Sequence, residues 1–136
     1  MNNYINYNWI RKELDDFSDH NNLCNPKDGY MKGNMFKNLY STYKNYEPVE
    51  ITFNNEQEKC LYELSMISFA AHELNLYLDL HPDNQTIFML WKDYQKKSKQ
   101  LLDEYEKKFG SITINSDYSN SYDWVKNNWP WEGYHV

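Results

Sequence analysis

The stretch "AHELNLYLDLHPDNQ", Ala71 to Gln85, decides the fold of this chain. An apolar residue returns every three or four positions through Ala71, Leu74 and Leu78, and the pattern stops at His81-Pro82. A proline disfavours helical backbone at the residue before it and lacks a donor of its own, so a helix running through this stretch ends at the histidine. Asp83 or Asn84 can then cap a second helix. The stretch also holds His72, Glu73, Asp79, His81 and Asp83, so it has to be weighed as a metal or acid–base site as well as a turn.

Working upstream, Cys60, Leu64, Ile67, Ala71, Leu74 and Leu78 recur at alternating steps of four and three, one stripe of an amphipathic helix. Asn54 or Asn55, with Gln57 or Glu58 three residues on, supplies a start signal, and the helix is predicted over residues 55–80. Downstream, Ile87, Leu90, Tyr94, Leu101 and Tyr105 form a second stripe, broken at Lys97 and Ser98. Lys107 and Lys108 suit the negative end of a helix dipole and Gly110 supplies a stop, which predicts a second helix over 84–109. Two long helices joined by about three residues, with His81, Pro82, Asp83 and Asn84 as the turn, run antiparallel.

The expected fold is therefore all-α: a long antiparallel helical hairpin with aromatic-rich, largely irregular arms at both ends. Met66, Phe69, Leu76, Tyr77, Leu80, Phe88 and Trp91 widen each stripe beyond what one partner helix covers. A further surface must pack there: the arm at 25–53, the C-terminal tail or a second copy of the chain.

Residues 1–53 form an Asn- and Tyr-rich arm and residues 54–136 the hairpin with its tail. The first 25 residues, Cys24 among them, read as weakly ordered. In 25–53, Pro26, Gly29 and Gly33 interrupt any long helix and leave a helical turn at Met35–Tyr40. The spacing of Phe36, Tyr40 and Tyr43 marks a segment that lies on another surface. The tail carries Trp124, Trp129 and Trp131 around Pro130, followed by Glu132. Each indole offers about 150–250 Å² to bury, so the tail is expected to clamp onto a groove. Phe36, Tyr40, Trp124, Trp129, Pro130, Trp131 and Glu132 are the candidate interaction residues.

Composition narrows the function. A chain of 136 residues has room for one domain. Apolar residues are 40% but aromatics reach 18%, and amphipathic rings suit interfaces as well as cores. The net charge is -6 and no segment is basic overall, which argues against nucleic acid and anionic membranes as partners. No apolar run approaches the roughly 18 residues of a membrane span, and the N-terminus lacks a basic stretch leading into an apolar one, so synthesis and retention in a cytoplasm are expected. Cys24 and Cys60 are too few for a disulfide framework and are expected as free thiols.

No constellation of catalytic or metal-binding residues emerges. A four-helix di-metal site uses Glu-x-x-His on a helix, and neither His72 nor His81 has a glutamate three residues earlier. Asp79 and Asp83 flank the break, where they can bond free backbone groups. Cys60 falls on the apolar stripe and reads as a small core residue. Polar residues do not cluster around the tail tryptophans as a sugar platform would require, so packing is the simpler role. The 13 tyrosines raise oxidative dityrosine crosslinking, and Cys24 a crosslink through its thiol.

The run "AAHELNLYLDLHPDNQ", the following "LLDEYEKKFGSITIN" and the terminal "WPWE" together resemble the CotJB family of spore coat proteins from endospore-forming bacteria, over Glu56 to Glu132. Upstream, "PKDGYMKGNMFKNLYSTYKNY", Pro26 to Tyr46, is similar to the small companion coat protein CotJA, with Ser41-Thr42 where an Asp-Pro step is expected. The resemblance implies a component of the inner spore coat, made in the mother-cell cytoplasm late in sporulation. It also implies association with CotJC, a coat protein resembling manganese catalase, and with other coat proteins.

The reading is a non-enzymatic structural or assembly protein without cofactor or metal, which binds that partner, and copies of itself, through hairpin faces and the Trp-rich tail. The rivals are a small metal-dependent or redox enzyme using His72, Glu73 and the tyrosines, and a modulator of the catalase-like partner.

Overall fold

The computed structural model describes residues 22–37, 44–116, 118–122 and 125. They contain a short helix α1 (Pro26–Lys32) and two long ones, α2 (Glu56–Leu80) and α3 (Gln85–Phe109). α2 and α3 pack as an antiparallel hairpin and α1 lies on α2. Among the described residues no strand forms, and a single antiparallel bridge joins Leu23 to Phe36.

Both long helices begin on asparagine. Asn55 Oδ1 accepts from the Glu58 amide at 2.8 Å, and the Glu58 carboxylate accepts from the Asn54 amide at 2.8 Å, a reciprocal cap that satisfies donors the helix cannot pair. Asn84 Oδ1 accepts from the Ile87 amide at 3.1 Å and starts α3. Asp83, the other candidate cap, stays exposed in the turn. α2 ends where expected: the His81 amide makes the last bond, to the Tyr77 carbonyl at 3.0 Å, and Pro82 has none to offer. Gly110 closes α3 with a φ of 96°, a value costly for any residue with a Cβ.

α2 has two buried faces. Leu64, Ile67, Ala71 and Leu74 meet Ile87, Leu90, Tyr94, Leu101 and Tyr105 of α3, while Met66 and Ala70 lie under the N-terminal segment. Burying one Leu or Ile side chain contributes about 1.5–3 kcal/mol, so the seam supplies most of the driving force. At Lys97-Ser98, where the α3 stripe breaks, Ser98 Oγ and Ser68 Oγ lie 2.7 Å apart and tie the helices together. The open end is closed by Gln57 Nε2 donating to Tyr105 Oη at 3.0 Å and by an exposed Lys108–Glu56 pair at 2.9 Å.

The N-terminal segment corrects three expectations. A short helix lies at Pro26–Lys32, upstream of the turn expected at Met35–Tyr40; of that stretch residues 35–37 are non-helical, and residues 38–40 lie outside the described residues. Pro26 and Gly33, read as interruptions, are the boundaries of α1. Pro26 occupies the first turn, where a missing N–H is harmless, and Gly33 (φ 72°) ends the helix. The Gly33 amide donates to Tyr30 and the Asn34 amide to Gly29, a paired closure that needs left-handed backbone at Gly33. Finally, Cys24 is not in a loose arm: it is 3% exposed, and its amide donates to the Met35 carbonyl at 2.7 Å.

Residues 22–37 thus form a strap held by Leu23 and Met35, both 0% exposed. Gly29 packs against Met35, and a Cβ at this position would strike the Met35 sulfur and crowd its Cα. Gly29→Ala is expected to destabilise the strap by about 1–3 kcal/mol, in the range of overpacking substitutions. Thiol labelling of Cys24 checks this: the rate should rise several-fold in the variant while helicity by circular dichroism is kept.

Candidate interaction surface

Of the residues marked for interaction, Phe36 and the turn are described. Phe36 is buried and its ring stacks on Tyr77 with centroids 4.9 Å apart, so the surface it lies on is this chain's own α2. Tyr30 extends the contact, meeting Tyr62 and Phe69 edge-on at 5.5 and 5.6 Å. Tyr40, Trp124, Trp129, Pro130, Trp131 and Glu132 lie outside the described residues.

In the turn, His81, Pro82 and Asp83 are exposed and Asn84 is half-buried by its capping role. The His81 ring lies 4.3 Å from that of Tyr77, which carries Phe36 on the same ring, so strap and turn share one aromatic stack. His72 is exposed and Glu73 half-buried. Among the described residues no three His, Cys, Asp or Glu side chains group as a metal site.

Cys24 and Cys60 are free thiols. Lys32 Nζ lies 4.0 Å from Cys24 Sγ. Burial pushes the Cys60 thiol above its ordinary value of 9.0, against the opposing Lys108 ammonium. A raised thiol pKa means the folded chain holds the proton more tightly than the unfolded one, so this contribution is present below the unfolded pKa and is lost as pH rises through the folded one. Alkylation of Cys60, mapped by mass spectrometry, is therefore expected to lag the urea-unfolded chain at pH 8 and to accelerate above pH 9.

One buried carboxylate escaped sequence reasoning. Glu106, 4% exposed, has the tightest polar surroundings in the described fold. Its Oε1 accepts from the Ile112 amide, the Thr113 amide and Thr113 Oγ1, each at 2.9 Å. The carboxylate turns the chain back beyond Gly110 and fixes the direction in which the tail departs. The sequence signal was faint: one acidic residue among several in "LLDEYEKKFG". Glu106→Ala should cost about 1–3 kcal/mol by stranding two amides. Hydrogen exchange at Ile112 and Thr113 reads it directly, with protection expected to fall while that of the seam is retained.

Several apolar side chains remain uncovered. At the turn end, Leu76, Leu80, Phe88 and Met89 are exposed, Leu80 at 80%, and Phe88 stacks on Trp91 at 5.7 Å. Between the strap and α2, Val49, Ile51 and Phe53 are exposed on an extended run, beside an open groove of about 720 Å³ lined by Pro26, Met31, Val49, Phe53, Tyr62 and Met66. No helix among the described residues is long and apolar enough to cross a membrane.

These features define a small all-α protein in which a helical hairpin is covered on one side by an aromatic strap and left apolar at its turn. The sequence model of the family described as CotJB protein matches residues 57–132, more than half of the chain, and the chain belongs to that family. It is a family of spore coat components. Residues 26–46 lie outside the match. No curated protein and no solved structure matches the chain.

Proposed function

We propose that this protein is a structural component of the inner spore coat that docks onto a catalase-like coat protein of the CotJC type and promotes its incorporation. The observation that carries the reading is the uncovered turn end: Leu76, Leu80, Phe88 and Met89 leave apolar surface in water on a chain whose seam and second α2 face are already covered. Exposed apolar surface of this kind marks interaction sites. Trp124, Trp129 and Trp131 add anchors of the residue type that dominates binding energies. The similarity of Pro26–Tyr46 to CotJA adds that the strap brings a second coat component's role into the same chain. Docking acts by adhesion: the rings and aliphatic side chains supply buried area, and the acidic balance limits unwanted aggregation.

The test is a pull-down from sporulating-cell lysate with the full chain and with a chain ending before Trp124. Retention of a manganese-catalase-like coat protein by the full chain alone is expected, and Trp129→Ala with Trp131→Ala should weaken that binding by more than about 2 kcal/mol. Equal retention by both chains would move docking to the hairpin. Retention by neither would overturn the partner.

A further inference from the structure

Glu63 is a carboxylate taken out of water without a described partner. It is 8% exposed, lies one turn before Met66 and Ile67 on α2, and makes no hydrogen bond or ion pair among the described residues. Burial strips such a group of its hydration, and here no donor replaces the lost water. Glu63 lines the open groove of about 720 Å³ between the strap and α2, whose walls are Met31, Val49, Phe53, Tyr62 and Met66. A groove of this size falls within the range of ligand sites. Lys27, Asp28, Lys32, Glu50 and Lys59 reach the same groove, but all five are exposed, and the Lys32 ammonium lies 4.0 Å from Cys24 Sγ. Glu63 is the lining charge that solvent does not satisfy. The outer wall has an unmet need of its own. The backbone of residues 47–53 makes no hydrogen bond to any described group, and from Val49 to Phe53 every residue carries an N–H to donate. An extended run in this state is a template for strand pairing.

We infer that this groove receives an extended segment of a partner protein, which adds to the 49–53 run as a strand and sends a lysine side chain down to Glu63. Both needs are then met by one occupant: the partner's main chain bonds the unpaired backbone, and its ammonium supplies the donor that the buried carboxylate lacks. Strand addition of this kind draws affinity from the main chain and specificity from the pocket that takes an alternate side chain. Lysine suits the pocket because its flexible four-carbon stem can lie along Met31, Val49 and Met66 while its compact charged head reaches the floor. Phe53 and Tyr62, with ring centroids 5.2 Å apart, form an aromatic wall against which an ammonium is also favoured. Residues two places either side of the lysine fall on the same face of an extended chain and meet the apolar rim, so they are apolar too. A second copy of 46–53 does not fit this description, since the segment contains no lysine.

Titration of the full 15N-labelled chain with the capped peptide Val-Thr-Lys-Thr-Val, followed by nuclear magnetic resonance, tests it. The lysine and both valines share one face of the extended peptide. A Kd of about 0.1 mM is expected, with shifts centred on residues 49–53, Tyr62, Glu63 and Met66 and slowed hydrogen exchange at alternate amides of 49–53. The same peptide with norleucine in place of lysine keeps the stem and loses the charge, and it should bind about tenfold more weakly or worse. Glu63→Gln should weaken the lysine peptide by a similar factor and no longer distinguish the two peptides. In the free chain Glu63→Gln should raise Tm, because burial penalises a neutral amide less than an unpaired carboxylate.

Ile10, Lys12 and Leu14 of this chain have the same spacing as the peptide, and Lys12→Gln in the full chain separates the two occupants. Unchanged affinity for the lysine peptide is expected; a rise of about tenfold would mean that the chain's own segment competes for the groove, and would overturn the partner. Failure of the lysine peptide to bind, equal binding of the norleucine peptide, unchanged affinity in Glu63→Gln, a fall in Tm in that variant, or amides of 49–53 that gain no protection each overturns the inference as well. The groove is distinct from the turn end and tail on which the coat reading rests, and that reading is decided by the pull-down, so neither result settles the other.

Discussion

Residues 81–84 separate α2 from α3, and that short connection constrains the rest of the described structure. A link of this length allows only antiparallel neighbours, so two helices of 25 residues each must face one another along most of their length. α3 answers with a single buried stripe and an outer face that is polar except near the turn, where Phe88 and Met89 are exposed. α2 cannot, because its apolar residues occupy two faces, one for α3 and one for the strap. It is the middle layer, and small residues at its centre, Ala70 and Ala71, let both neighbours approach.

Polar groups do specific work within this arrangement. The Ser68–Ser98 contact replaces a step of apolar packing with a hydrogen bond at one height of the seam. Sliding the helices by one turn would break this bond as well as misalign the apolar stripes, so the pair favours the observed register. The exposed Lys108–Glu56 pair is a weaker restraint: its hydrogen bond raises the Lys108 pKa, but solvent screens such pairs. Glu106 differs again. It is buried and satisfied by backbone donors, and it acts after the helix, on the path of the chain.

The hairpin was legible in the sequence because its determinants are local. Asn55 with Glu58, Pro82 with Asn84, and Gly110 each act within a few residues, and the stripes between them have a fixed period. The strap was not, because the same residues carry two meanings: Pro26 and Gly33 break a long helix but bound a short one, and length alone decides which. Cys24 looked loose for the same reason, since its burial depends on a bridge to Met35 that is formed only once α1 has reversed the chain. Glu106 was unreadable because its partners are peptide amides, whose positions follow from the backbone turn at Gly110 and not from any side-chain motif. The tail residues Trp124, Trp129 and Trp131 lie outside the described residues, so their role stands on their chemistry.

The family match begins at residue 57, within the first turn of α2, and the strap precedes it. A hairpin restricted to the matched region would leave Met66 and Ala70, with the rings of Tyr62, Phe69 and Tyr77, facing water on the second side of α2. This chain covers them with Tyr30, Met35 and Phe36, so its third layer comes from its own sequence. Among the described residues, the apolar surface left in water includes the turn end with Leu76 and Leu80, the extended 46–53 run, and Ile112, Ile114, Tyr122 and Val125 beyond α3. The strap thus completes the fold of α2 and removes that helix's second face from the apolar surface left in water.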